Sequence, residues 1–160
     1  MNAAADPGIS PLLVLAWGNP SRGDDALGPL FAEKLATLQL QGVEIQQDYQ
    51  LQIEYSLDLQ QRECVLFVDA SANAPPPYAF HPLRAERDNS YTSHSLSPQA
   101  LLSVYEQVNQ APAPPSFLLA IRGYQFELGR ATGEKAQLNL RAALDFAARF
   151  LQEQRPGDPP

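Results

Sequence analysis

Four side chains that could bind a cation lie in three separate segments of the sequence. Asp24 and Asp25 belong to the loop GNPSRGDDALG, Asp69 follows an apolar run, and His94 lies in TSHSLSP. Two carboxylates and one imidazole, as in Asp25, Asp69 and His94, make a facial ligand set that leaves positions open for an exogenous ligand. Such a set suits a transition metal, whereas a structural zinc site requires thiolates or four protein ligands.

Each of these residues also has a plain structural explanation. Asp24 and Asp25 could cap a helix, because aspartate is favoured near helix N-termini. Asp69 could form a turn, and His94 could be an exposed loop residue. His81, the only other histidine, receives no role. It is the combination of two carboxylates and one imidazole that favours a functional site.

Other classes of site are disfavoured by the same segments. The glycine-rich loop has neither the dinucleotide fingerprint nor the P-loop pattern, and its two acids would repel a phosphate. The chain contains no HExxH motif of zinc proteases and no GxSxG elbow for a serine nucleophile. Cys64 lies inside an apolar run, which indicates a buried core residue rather than a nucleophile.

Apolar periodicity predicts the elements that must position these residues. Continuous apolar runs predict buried strands at residues 11–17, 64–68 and 117–121. Weaker patterns predict a strand at 43–49 and an edge strand at 78–84, because Pro82 is unsuited to a central strand.

Helices are predicted between these strands. Helical spacing of apolar residues indicates helices at 26–38 and 134–154, and a weaker one at 53–61. Ser97 followed by Pro98 predicts the start of a fourth helix, with serine as the N-cap. The alternation predicts an α/β three-layer sandwich, with a twisted, mostly parallel sheet and helices on both faces. We expect one domain over residues 1–160, with an ordered core at about 11–154 and frayed termini.

Composition narrows the classes of partner and the compartment. A net charge of −7 argues against binding to nucleic acid or to an anionic membrane surface. The single cysteine excludes an internal disulfide framework. The first ten residues lack the basic and apolar regions of a signal peptide, and no apolar run is long enough to span a bilayer. These features predict a cytoplasmic protein.

Three motifs together resemble the hydrogenase maturation endopeptidases. GNPSRGDDALG resembles the signature loop of that family, VLFVDAS its second strand-end motif, and SHSLSP its histidine before a helix. IRGYQFELG is similar to the stretch after the last strand. The order and approximate spacing of the motifs match from about Leu12 to the closing helix. Two departures stand out: Ala26 replaces a common glycine, and residues 47–61 replace a more glycine-rich segment.

The resemblance implies an activity and a partner. Members of the family cut a short C-terminal extension from the large subunit of a nickel-iron hydrogenase after nickel insertion. It implies that Asp25, Asp69 and His94 contact the metal and carry out the cleavage, and that Asp24 supports them. Gly18, Asn19 and Gly23 would shape the turn. We expect nickel to be supplied by the precursor rather than bound tightly by the free protein, which we expect to be a monomer.

Several alternatives stay open at the level of the sequence. Nickel could act as a Lewis acid on the scissile carbonyl, or a carboxylate could activate a water. The chain could instead be a non-catalytic module that binds nickel or the partner, or a small metal-dependent hydrolase acting on a small molecule.

Overall fold

The computed structural model describes residues 8–87 and 96–154, which contain a five-stranded sheet in the order β2-β1-β3-β5-β4. The four strands β1, β2, β3 and β5 are parallel, and β4 pairs with β5 in the antiparallel direction at one edge. The strand bounds are Leu12–Trp17 for β1, Val43–Asp48 for β2, Cys64–Ser71 for β3, Tyr78–Leu83 for β4 and Ser116–Arg122 for β5.

Helices cover both faces of this sheet, as predicted for a three-layer sandwich. In the part of the chain that the structure describes, the α-helices are α1 at Leu27–Thr37, α2 at Pro98–Asn109 and α3 at Glu134–Glu153. The same part contains 3-10 helices at Gly23–Ala26 and Ile53–Leu59. The helices α1 and α3 pack on one face, while α2 and the second 3-10 helix pack on the other. None of the helices in the described ranges is long and apolar enough to cross a membrane.

The position of β1 between two helical layers explains why its sequence is apolar throughout. Successive side chains of a strand point to opposite faces, so a strand between two helical layers must be apolar on both. Leu12, Val14 and Ala16 enter the core beneath α1 and α3. Leu13 and Leu15 enter the core beneath α2. The predicted edge position of β4 is also confirmed, because among the described strands β4 pairs with β5 alone and places Pro82 opposite Phe117.

Two predicted elements differ from the structure. The apolar run ends at Val68, but β3 continues to Ser71 because β5 supplies pairing partners as far as Arg122. Asp69 therefore lies inside β3, opposite Ala120, and the prediction that it follows the strand is wrong. The weak helix predicted at residues 53–61 is a 3-10 helix. The predicted N-cap of α2 is confirmed, since the Ser97 hydroxyl accepts a hydrogen bond from the backbone N–H of Ala100.

Gly28 lets the first turn of α1 approach β1 closely. A Cβ atom at this position would lie 2.1 Å from the carbonyl oxygen of Trp17, which is a backbone atom and can move only with its strand. We expect Gly28→Ala to lower the free energy of unfolding by about 3 kcal/mol, measured by chemical denaturation. Gly133→Ala is the matched control, because its nearest contact, an Asp24 oxygen, lies at 3.8 Å. Equal losses for the two variants would contradict this explanation.

Candidate active site

Asp25 and Asp69 both lie at the carboxyl ends of the parallel strands, although 44 positions separate them in sequence. Asp25 belongs to the first 3-10 helix, directly after β1, and Asp69 lies near the end of β3. Because β1 and β3 are parallel neighbours, their carboxyl ends meet. From β1 the chain proceeds to β2 on one side, and from β3 to β4 on the other, so the two acids flank a topological switch point. Such switch points are where open α/β sheets bind ligands.

The two carboxylates influence each other electrostatically. Burial and the nearby negative charge of Asp25 raise the pKa of Asp69 to about 7, although a hydrogen bond from the Ala70 backbone lowers it in part. Near neutral pH, Asp69 therefore carries a proton for part of the time. A divalent cation would compensate both charges and replace this proton. The two carboxylates alone suit a hard divalent cation, whereas nickel is better held by a set that also includes an imidazole nitrogen.

The turn after β1 holds the Asp25 side chain in place. The backbone N–H of Asn19 donates to Asp25 Oδ2 at 2.8 Å. The Asn19 Oδ1 accepts from the Ser21 N–H, also at 2.8 Å, and closes the turn. A Cβ atom on Gly18 would lie 2.1 Å from the Asp25 carbonyl oxygen, so only glycine allows this approach. Gly18 and Asn19 therefore shape the turn that positions Asp25.

Asp24 has a different environment from its neighbour, because its side chain is almost fully buried, with 1% exposure. Its Oδ2 accepts from the backbone N–H groups of Tyr124 at 2.6 Å and Gln125 at 3.1 Å. Its Oδ1 accepts from the N–H of Gly133 at 2.9 Å. These partners all belong to the β5–α3 loop, residues 123–133. Asp24 thus connects the loop after β1 to the loop after β5.

Gly23 reinforces the connection between these two loops. Its backbone N–H donates to the carbonyl of Arg130 at 3.0 Å. Its φ of +53° lies in the left-handed region, which favours glycine. A Cβ atom would also lie 2.6 Å from the Gln125 carbonyl oxygen. Gly23 therefore shapes the segment in which Asp24 and Asp25 lie.

The third predicted metal-contacting residue, His94, lies outside the described residues. Within residues 8–87 and 96–154, no group of three His, Cys, Asp or Glu side chains could hold a metal ion. Asp69 shares the strand parity of Val65 and Phe67, which pack on the face covered by α2. In sequence, His94 precedes the first residue of α2, Pro98, by four positions.

A cleft of about 320 Å³ borders the turn that positions Asp25, and it is open to solvent. It lies between the start of α1 and the end of β2. Asp48 in this cleft accepts a hydrogen bond from the Tyr55 hydroxyl at 2.7 Å. Burial and this acceptor raise the pKa of Tyr55 to about 12, so Tyr55 stays a donor. The residues that line the cleft are Gly18, Pro20, Pro29, Glu33, Gln47, Asp48 and Tyr49.

Comparison with solved structures identifies the fold. No protein-family model and no curated protein matches the chain. The HycI hydrogenase maturation protease of Thermococcus kodakarensis KOD1 has a TM-score of 0.67 at 19% identity, covering 92% of this chain and 96% of that one. The E. coli hydrogenase maturating endopeptidase HybD has a TM-score of 0.68 at 21% identity, covering 89% and 92%. The chain has the fold of the hydrogenase maturation proteases.

A third solved structure is also similar in fold. The hydrogenase 2 maturation peptidase of Thaumarchaeota archaeon SCGC_AB-539-E09 has a TM-score of 0.62 at 21% identity, covering 88% of this chain and 97% of that one. The resemblance stated from the three sequence motifs is therefore confirmed at the level of the fold of the maturation proteases.

Within this maturation-protease fold, two parts of the site were not predicted from the sequence. The first is the cleft beside Gly18. The second is the β5–α3 loop as the partner of Asp24, although its sequence contains a signal. A Cβ atom on Gly123 would lie 2.8 Å from the Asp24 Cβ, so the glycine after β5 marks the place where the two loops touch.

Proposed function

We propose that the protein is an endopeptidase that removes the C-terminal extension from the large-subunit precursor of a nickel-iron hydrogenase after nickel insertion. The similarity of fold to HycI and HybD supports this proposal. The observation that carries it is the pair of carboxylates, Asp25 and Asp69, placed together at the switch point of the sheet. The protein acts in the cytoplasm as a monomer.

Nickel belongs to the substrate in this proposal. Asp25, Asp69 and His94 come from three segments and bind the nickel that the precursor carries, so that cleavage follows nickel insertion. The carboxylate pair supplies the negative charge, and His94 supplies the nitrogen ligand that completes a facial set. Because the docked precursor contributes the remaining ligands, the free protein is expected to bind nickel only weakly.

The carboxylate pair also offers a base for the reaction. The pKa of about 7 for Asp69 belongs to the metal-free pair; bound nickel would lower this pKa and keep Asp69 ionised. A carboxylate in this position can accept a proton from water and return it to the leaving amine. Polarisation of the scissile carbonyl by the precursor's nickel is the second route, and both routes require the two carboxylates together. Asp24 takes no direct part in either route, because its carboxylate oxygens accept hydrogen bonds from the β5–α3 loop.

The test is cleavage of the large-subunit precursor, which is measured as a decrease in the mass of the precursor. We expect the purified protein to shorten the nickel-loaded precursor and to leave the nickel-free precursor intact. Asp25→Asn is expected to lower the initial rate by about 100-fold or more, because it removes one charge from the pair. Its fold should persist, since the asparagine oxygen can still accept the hydrogen bond from Asn19.

Asp145→Asn is the matched control, because this acid lies exposed on α3. It should cleave at the rate of the unmodified protein. If the nickel-free and nickel-loaded precursors were cleaved at the same rate, the proposal that cleavage requires nickel would be wrong. If neither precursor is cut but the nickel-loaded form is captured in a pull-down, the chain is a binding module and the proposed activity is wrong.

A further inference from the structure

We propose that a basic patch beyond the end of β5, formed by Arg122, Tyr124 and Lys135, binds a carboxylate group of the protein substrate. These three residues are the β5 patch. The inference rests on the proposed function and adds a contact that is separate from the carboxylate pair.

Two cationic side chains in the β5 patch share one aromatic ring. The guanidinium carbon of Arg122 lies 4.9 Å from the centroid of the Tyr124 ring, and Lys135 Nζ lies 5.8 Å from it. Within the described ranges, neither cation forms an ion pair with an acid. The patch is therefore an uncompensated positive charge on a chain whose net charge is −7.

The Arg122 guanidinium is oriented by backbone acceptors. Its Nε donates to the Gly123 carbonyl at 3.1 Å, and its Nη1 donates to the Ala74 carbonyl at 2.9 Å. In the part of the chain that the structure describes, its Nη2 makes no hydrogen bond. A guanidinium has five N–H donors, so N–H groups on its outer edge are left for a ligand. Such an edge matches a carboxylate, which accepts two parallel hydrogen bonds from arginine.

Tyr124 adds a neutral donor to the patch. Its hydroxyl oxygen accepts from Asn139 Nδ2 at 3.2 Å, and the same amide group donates to the Arg122 carbonyl at 3.0 Å. Asn139 is only 8% exposed, so it fixes Tyr124 and the Arg122 backbone from inside the protein. Because this hydroxyl already accepts a hydrogen bond, its own hydrogen is available to a ligand on the exposed side of the ring.

The β5 patch lies at the same ends of the strands as the carboxylate pair. Arg122 is the last residue of β5 and is the register partner of Ser71, two residues after Asp69 on β3. The backbone N–H of Tyr124 donates to Asp24, which directly precedes Asp25. A substrate chain that extends from Asp69 across the end of β5 therefore meets the patch.

Other ligands fit the patch less well. A cation would be repelled by two positive charges, and an apolar side chain would cover N–H and O–H donors without supplying an acceptor. A nucleic acid is disfavoured by the net charge of −7. An ionised carboxylate is an acceptor only and carries the opposite charge, so it meets both requirements.

The first test is direct binding, measured by NMR on the labelled protein with three ten-residue peptides of one sequence. The first peptide has a central glutamate and an amidated C-terminus, and the second has a central glutamine and the same amide. The third has the glutamine and a free C-terminal carboxylate. We expect the glutamate peptide to shift the amide signals of Tyr124 and Lys135, and the second peptide to leave them in place. Shifts with the third peptide alone would support a carboxylate site that takes a chain end, whereas no shifts with either carboxylate peptide would overturn the proposal.

Two variants test the patch while they leave Arg122 intact. Lys135→Gln removes one cation, and Tyr124→Phe removes the hydroxyl but keeps the ring. Each should weaken binding of the carboxylate peptide by about threefold. Arg141→Gln is the matched control, because it removes one exposed positive charge from the same helix, and it should bind the peptide unchanged. An equal loss in Arg141→Gln would mean that overall charge, rather than the patch, attracts the peptide.

The second test uses the nickel-loaded precursor and separates this inference from the proposed function. Lys135→Gln should raise the KM for cleavage by about threefold without lowering kcat, because the contact is lost equally in the ground and transition states. If the precursor is cut, but KM is unchanged and neither carboxylate peptide causes shifts, the patch assignment is wrong and the protease stands. If a carboxylate peptide binds but no precursor is cut, the proposed function fails and the carboxylate site stands.

Discussion

Replacing Asp24 with alanine is expected to lower the free energy of unfolding by about 3–5 kcal/mol, because three backbone N–H groups would lose the buried carboxylate that accepts from them. For a chain of this size, that loss corresponds to a fall of roughly 10 °C in the melting temperature. Asp24→Asn keeps one acceptor oxygen and should lose about half as much. Thermal unfolding monitored by circular dichroism measures both effects.

The stability effect of replacing the neighbouring residue, Asp25, can be compared with that of replacing Asp24. Asp25 is less buried, and within the described ranges its side chain accepts one backbone hydrogen bond, from Asn19. We expect Asp25→Asn to change the free energy of unfolding by less than about 1 kcal/mol. If the Asp24 and Asp25 variants lost the same stability, the β5–α3 loop would not be held by Asp24. Adjacent aspartates would thus separate into one that holds the loops together and one that acts on the substrate.

Replacing Asp69 with asparagine is expected to stabilise the free protein above pH 7, while it removes the activity proposed above. The folded protein holds this carboxyl at a pKa of about 7, against 3.8 for the ordinary group. Keeping it ionised in the folded state therefore costs free energy, up to about 4 kcal/mol from the size of the shift. Asparagine has the same shape and no charge, so we expect a gain of about 2–4 kcal/mol at pH 8.

The pH dependence follows from the sign of the shift. Between pH 4 and pH 7, the folded state binds more protons at Asp69 than the unfolded state does. The contribution of Asp69 to stability therefore falls as the pH rises through this range, and it is constant above it. The advantage of Asp69→Asn should be largest at pH 8, roughly two-fifths as large at pH 5, and close to zero below pH 4.

Chemical denaturation at pH 5 and pH 8 measures this difference. Asp145→Asn removes one charge from an exposed position and serves as the control. It should change stability by less than about 0.5 kcal/mol at either pH. An equal gain for Asp69→Asn at both pH values would mean that Asp69 does not titrate between them. The expected result would identify Asp69 as a residue retained for function at the expense of stability.

The sequence by itself determined the order and type of nearly all the elements. Strands β1, β3 and β5 were predicted because strands buried on both faces must be continuously apolar, and this pattern is visible within a few residues. The start of α2 was predicted because Ser97 caps it through a contact only three residues away. Asp25 was predicted beyond the carboxyl end of β1, where open α/β sheets bind ligands. This prediction also uses only local information, because Asp25 follows β1 closely in sequence.

The tertiary structure decided what depends on distant partners. The end of β3 moved to Ser71 because β5 pairs with it. Asp24 and Asp25 are the same residue type side by side, but segments 100 to 109 positions away supply N–H groups to Asp24, whereas Asp25 lies close to Asp69. The cleft beside Gly18 exists because α1 and β2 come together there. Periodicity and capping are local, whereas burial, charge coupling and hydrogen-bond partners are set by residues that only folding brings into contact.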